Sequence, residues 1–117
     1  MLNTFEKFQS AALELAGSGP IKRRLFGAYV NHLATLTDEQ LPKEVREDFS
    51  SFSRAMRAVR PMPGEDAVTA TVRKMSDGDA NRYAAQIVTM LGIVVRSQVY
   101  QRAPASAPVV QLYAAEA

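Results

Sequence analysis

Cysteine and tryptophan are absent from this chain, and histidine occurs once. Without cysteine the protein can form no disulfide framework, no thiolate zinc site and no thiol nucleophile. This composition suits a reducing compartment, so we expect a cytoplasmic protein. The first residues show no basic leader followed by an apolar run, so we expect no signal peptide.

Long hydrophobic runs and an excess of one charge are also lacking. The densest apolar stretch spans residues 87–95 and contains Thr89 and Gly92, whereas a helix that crosses a bilayer needs about 20 apolar residues. Lys and Arg total 14 against 12 Asp and Glu, a formal net charge of +2. We therefore expect no membrane partner, and this charge alone does not indicate nucleic-acid binding.

Patterns typical of catalysis are missing as well. The chain contains no HExxH, GxSxG, P-loop or dinucleotide-binding motif. His32 projects onto the apolar side of its predicted helix, which favours a hydrogen-bonded structural role over that of a general base. The acidic residues cluster at helix starts, where they complement the helix dipole. We predict a protein that is not an enzyme, with no catalytic residues, cofactor or metal.

Helical periodicity is the main signal present. It predicts an all-α bundle of about five helices, at residues 4–16, 20–36, 42–59, 66–75 and 77–102, in one domain formed by residues 1–102. Asn3, Thr37 and Ser76 each precede Glu, Gln or Asp by three residues, which is typical of a helix start. Gly17 is expected to end the first helix in a left-handed conformation. The β-branched residues of 66–75 would also suit a strand. The Pro- and Ala-rich composition of residues 103–117 predicts an extended tail.

The last predicted helix is apolar nearly all round. A helical step of about 100° gathers its core positions on one wide face; they are Ala80, Tyr83, Ala84, Ile87, Val88, Met90, Leu91, Val94 and Val95. Ile93 and Tyr100 lie off that face, beside Gly92, which permits close backbone approach. Self-association and burial under the tail both explain them. The candidate partner-binding residues are therefore Ile93, Tyr100, Val109, Val110, Leu112 and Tyr113.

Two basic sets offer a different surface. Lys22, Arg23 and Arg24 occupy the first turn of helix 2, where cations oppose the helix dipole at a cost of about 0.3–1 kcal/mol each. Together with Ser18 and Gly19 they form a candidate anion-binding site. The alternative is that Glu14, Glu65 or Asp66 neutralises the cluster. The second set, Arg54, Arg57 and Arg60, follows helix 3, where a solvated face that complements the dipole is the simpler interpretation.

The favoured hypothesis is a small non-catalytic helical protein that binds another protein or itself. It would act as a regulator, adaptor or accessory subunit through helix 5 and the tail. The alternative is a protein that binds nucleic acid or another anion through the two basic sets. Binding through phosphates should weaken steeply with salt, whereas apolar docking should not.

Overall fold

Five α-helices make up most of the computed structural model, which describes the backbone of residues 3–102 and the side chains of residues 3–99. The helices are α1 (Thr4–Leu15), α2 (Ile21–Ala28), α3 (Lys43–Met56), α4 (Ala67–Lys74) and α5 (Asp77–Arg102). Within these residues there is no strand, so the prediction of an all-α bundle is confirmed. The predicted tail, residues 103–117, lies outside the described residues.

The starts of α1 and α5 and of the 3-10 turn at residues 38–40 follow the capping signals in the sequence. The Asn3 side chain accepts a hydrogen bond from the Glu6 N–H at 2.8 Å, and the Glu6 carboxylate accepts one from the Asn3 N–H at 3.1 Å. Thr37 forms a similar box around a 3-10 turn at residues 38–40. The hydroxyl of Ser76 accepts a bond from the Asp79 N–H at 3.0 Å. These bonds satisfy N–H groups that a helix leaves unpaired in its first turn.

The turn between α1 and α2 differs from the prediction. Ala16 is the C-cap of α1, and it is Gly19, not Gly17, that has a positive φ, of 102°. Pro20 is the N-cap of α2, and the cap makes no side-chain hydrogen bond, so Ser18 does not cap this helix. The left-handed residue thus lies nearer the start of the second helix.

The predicted second helix is interrupted. The α-helical hydrogen bonding of α2 ends at Ala28 and gives way to a π-helical turn, Tyr29–Leu33, closed by a bond from the Ala34 N–H to the Tyr29 carbonyl at 2.8 Å. Such a turn inserts one residue into the helical repeat. It keeps both Tyr29 and Leu33 fully buried.

The core lies on one side of α5, which packs against α1, α2 and α3. Phe52 of α3 stands at its centre, with its ring centroid 5.8 Å from that of Tyr29 and 6.1 Å from that of Tyr83, both in edge-to-face geometry. These aromatic contacts add to the hydrophobic stabilisation of the core. α3 ends at Met56 rather than at Val59, and the Val59 N–H donates instead to the Thr71 hydroxyl of α4 at 3.0 Å.

α4 is a helix, as predicted, and the strand alternative does not apply to it. Its inward side buries Ala70, Thr71 and Val72 against the bundle. None of the helices in the described part of the chain has both the length and the apolar character needed to cross a bilayer.

Candidate functional site

α5 has two different apolar sides. Its inward side buries Ala80, Ile87, Met90 and Val94 completely or nearly so. On the other side, Val88, Val95 and Val99 expose 53, 37 and 62% of their surface. The prediction that Val88 and Val95 face the core is therefore wrong. The apolar arc of this helix is wider than the face that the rest of the bundle can cover.

The exposed apolar residues of α5 form a regular stripe. Ala85, Val88, Gly92, Val95 and Val99, which we call the valine seam, are separated by alternating steps of three and four residues. At about 100° per residue they fall within an arc of about 80° and extend about 21 Å along the helix. This is the spacing of the a and d positions in a helix that pairs with a second helix.

Small residues make the surface of the valine seam uneven. Gly92 is half-buried, and a Cβ at this position would meet the Arg96 guanidinium at 3.4 Å. The Arg96 side chain therefore reaches back toward Gly92, and its guanidinium covers part of the low position that the glycine leaves. Ala85 and Gly92 alternate with valines, so the stripe presents shallow depressions between projecting side chains. Such a surface matches the knobs and holes of paired helices.

A groove of about 450 Å³ lies beside the seam, between α3 and α5. Phe52, Tyr83 and Met90 contribute apolar surface to it, and Arg82 lies at its edge. Arg82 donates to the Asp79 carboxylate at 3.0 Å, and this hydrogen bond lowers the pKa of Asp79 and raises the pKa of Arg82. The groove offers polar groups around apolar side chains, an arrangement suited to binding.

The residues predicted to bind a partner are distributed differently from the expectation. Ile93 is half-buried and packs against the core cluster, so it is not the outward residue that its off-face position indicated. The side chains of Tyr100, Val109, Val110, Leu112 and Tyr113 lie outside those that the structure describes. Sequence reasoning missed the valine seam. Its three-four spacing marks an apolar stripe, but the spacing does not say whether that stripe faces the core or the solvent.

Lys22 and Arg24 of the first basic set perform a structural task, whereas Arg23 is exposed. Lys22 donates to the Arg73 carbonyl at 3.0 Å, and Arg24 donates to the carbonyls of Gly19 at 2.8 Å and Leu15 at 2.6 Å. Leu15 ends α1 and Arg73 lies in the last turn of α4. These carbonyls carry the negative ends of two helix dipoles. Cations at the start of α2 are thus tolerated because they complement the ends of two neighbouring helices.

In the second basic set, Arg57 likewise binds a backbone carbonyl. Arg57 donates to the Ala34 carbonyl at 3.3 Å, and its guanidinium lies 5.8 Å from the centre of the Tyr29 ring. Arg54 reaches the Ser50 hydroxyl at 3.4 Å, and Arg60 is exposed. Ala34 lies 12 residues beyond Lys22 along one helical run, which corresponds to about 18 Å. The two residues therefore lie at opposite ends of that run, with Lys22 at its start and Arg57 hydrogen-bonded to its end.

The acidic residues predicted to neutralise the first basic set have other partners. Glu14 accepts hydrogen bonds from His32 Nε2 at 2.7 Å and from Asn31 at 3.2 Å. Glu65 binds Arg73 at 2.9 and 3.0 Å. Hydrogen bonds from the Arg73 guanidinium and from a backbone N–H lower the pKa of Glu65 to about 2.

His32 connects α1 to the π-helical turn. The His32 and Glu14 side chains are 23 and 32% exposed, at the margin of the core, where a hydrogen-bonded structural histidine was predicted. A Cβ on Gly27 would lie 1.9 Å from the Glu14 carboxylate. Gly27 therefore provides the space through which Glu14 reaches His32.

The described residues hold no group of three or more His, Asp or Glu side chains placed to bind a metal ion. No protein-family model, curated protein or solved structure matches the chain.

Proposed function

We propose that this chain is a small non-catalytic helical protein that acts by binding a protein partner through the valine seam of α5. The observation that carries the proposal is the heptad spacing of exposed apolar residues on the side of α5 away from the core. A stripe of this kind on a long helix is typical of a surface that receives another helix.

The energetics favour a partner of moderate affinity. Burying a whole valine side chain contributes at least about 1.5 kcal/mol, and Val88, Val95 and Val99 have about half of their surface left to bury. The three together would contribute about 2 kcal/mol by this proportion. A micromolar complex requires about 8 kcal/mol, before the cost of association is considered. The partner must therefore also contact the residues that flank the seam, a pattern suited to a regulator, adaptor or accessory subunit.

The groove between α3 and α5 offers such additional contacts. Its edge nearest the seam is Thr89, about 80° around α5 from the centre of the seam, whereas Gln86 lies about 140° away. A helix seated on the seam would bring its own flanking side chains over Thr89. Polar contacts around an apolar centre are the usual organisation of a protein interface.

The basic sets give less support to nucleic-acid or anion binding. Lys22, Arg24 and Arg57 donate to backbone carbonyls of the fold, and these bonds account for their positions. We place the proposed activity in the cytoplasm, for which the cysteine-free composition is the support.

Site-specific photo-crosslinking tests the proposal. A photoreactive amino acid at position 88, within the seam, is compared with the same residue at position 13, because Leu13 is an exposed apolar residue of α1 with 67% of its surface accessible. Crosslinks to a protein from position 88 alone, abolished by Val95→Lys, are expected. Equal crosslinking from both positions, or none from position 88, would contradict the proposal.

A further inference from the structure

The valine seam is a surface that fits a copy of itself. We propose that its occupant is a second copy of this chain, with the two α5 helices packed side by side in antiparallel orientation. This inference rests on the proposed function, since it names the partner of the same seam. It also predicts geometry that a different partner would not produce.

Self-complementarity is the first argument. Outside α5, the large exposed apolar residues among the described side chains are single ones, Leu13, Val30 and Met62, each on a different element. The seam is therefore the continuous exposed apolar stripe of the described helices. A two-fold dimer uses one patch twice, so a single stripe on each copy suffices to bury both.

The helix dipole favours an antiparallel orientation. Asp77 lies in the first turn of α5 on the side of the seam, whereas Arg96 and Arg102 lie toward the other end; Asp79 points away from the seam and binds Arg82 at 3.0 Å. An antiparallel pair opposes the two helix dipoles and brings Asp77 toward the basic end of the partner helix. A parallel pair would instead place acidic turns beside each other and basic turns beside each other.

Full overlap of the two helices fixes a register. α5 has 26 residues, Asp77–Arg102. In an antiparallel pair with maximal overlap, the residue numbers of two positions that face each other add up to about 180. Ala85 then faces the partner's Val95, and Gly92 faces the partner's Val88. Each small residue meets a valine across the interface. The exposed Arg96 guanidinium, which lies against Gly92, must turn outward for the partner's Val88 to fill that depression.

The Arg82 and Arg96 positions carry like charge in this register, and two-fold symmetry makes their contact occur twice. Arg82 comes toward the partner's Arg96, but its guanidinium already binds Asp79 at 3.0 Å. The contact is therefore between a paired and an unpaired arginine at the exposed edge of the interface. Like charges at a solvent-exposed rim are screened and change affinity little.

Sedimentation equilibrium of the full chain provides the first test. The wild-type protein should pass from monomer to dimer as its concentration rises from about 10 µM to about 1 mM, because the valines of two copies together contribute about 4–5 kcal/mol. Val88→Lys combined with Val95→Lys should weaken dimerisation by at least about a hundredfold, since two charges would be placed in an apolar interface. The matched control Leu13→Lys should dimerise as the wild type does. A wild-type monomer throughout, or a double variant that still dimerises, would overturn the inference.

Cysteine crosslinking tests the orientation, and the cysteine-free chain makes it selective. The register brings Asn81 opposite the partner's Val99, both exposed positions. Under oxidation, an equimolar mixture of Asn81→Cys and Val99→Cys proteins should form a mixed disulfide dimer. Val99→Cys alone should form none, because its two copies would be about 27 Å apart along the pair. Efficient crosslinking of Val99→Cys alone would show a parallel pair and overturn the proposal.

The failure of this inference differs from the failure of the proposed function. A monomeric wild type whose position 88 crosslinks to a different protein would remove the second copy as occupant and leave the seam as a binding surface. A monomeric wild type with no crosslink from position 88 would remove both.

Discussion

Replacing Gly27 by alanine should reveal the contact between α1 and the π-helical turn. Gly27 lies inside α2, where alanine is more favourable than glycine by about 0.8–1.0 kcal/mol of helix propensity. Its new Cβ would lie 1.9 Å from one Glu14 carboxylate oxygen and 3.0 Å from the carboxylate carbon. The Glu14 side chain must therefore move, because that distance is well inside van der Waals contact.

The displacement has a cost that opposes the propensity gain. Glu14 would lose its hydrogen bonds from His32 at 2.7 Å and Asn31 at 3.2 Å. A hydrogen bond to a charged group contributes about 1.5–3 kcal/mol, and we take about 1.5 kcal/mol in total because the carboxylate is one third exposed and partly screened. Gly27→Ala should therefore lower the free energy of unfolding by about 0.5 kcal/mol in the wild-type background.

A double-mutant cycle isolates the contact. In the Glu14→Ala background the same Gly27→Ala change should raise the free energy of unfolding by about 1 kcal/mol, since only the propensity gain is left. Urea unfolding monitored by circular dichroism, with linear extrapolation, measures all four proteins. Equal stabilisation by Gly27→Ala in both backgrounds would refute the reasoning, because it would show that Glu14 does not occupy the space beside Gly27.

Three further substitutions test other parts of the fold. Phe52→Ala should lower the free energy of unfolding by about 3–5 kcal/mol in urea titrations, since it removes the central ring of the core. Arg24→Ala should cost about 1–3 kcal/mol in the same assay by leaving the carbonyl that ends α1 without its charged donor. Glu65→Gln should reduce thermal stability at pH 7, because the folded-state pKa of Glu65, about 2, lies below its ordinary value of 4.5. That lowered pKa stabilises the fold above about pH 4.5, so the difference from wild type should shrink as the pH falls from 4.5 toward 2, and a difference unchanged at pH 2 would refute the assignment.

Helix starts could be predicted because their signals are local. Asn3 and Ser76 each receive a hydrogen bond from a residue three positions along the same chain, so a short window contains all the information. The inward side of α3 could also be predicted from the sequence, since Phe49 and Phe52 share one narrow apolar face with polar residues opposite. In both cases the neighbouring sequence determines the structure.

The side of α5 that faces the core could not be read in the same way. Ile87 and Val88 are adjacent and equally apolar, yet one is fully buried and the other exposes half of its surface. Which of them faces inward depends on where α1, α2 and α3 pack, and helical spacing within α5 does not contain that information. The role of Lys22 was hidden for the same reason, because its acceptor at Arg73 lies 51 residues away.

The fold buries one apolar side of α5, and we propose that the other side receives a partner. The unfolding free energies of Ile87→Lys and Val88→Lys, measured in urea at a protein concentration low enough to keep the chain monomeric, test it most directly. We expect Val88→Lys to stay within about 0.5 kcal/mol of wild type, and Ile87→Lys to lose at least about 4 kcal/mol or its cooperative transition. Comparable losses in the two variants would contradict the account, because they would show that both sides of α5 are buried within one chain.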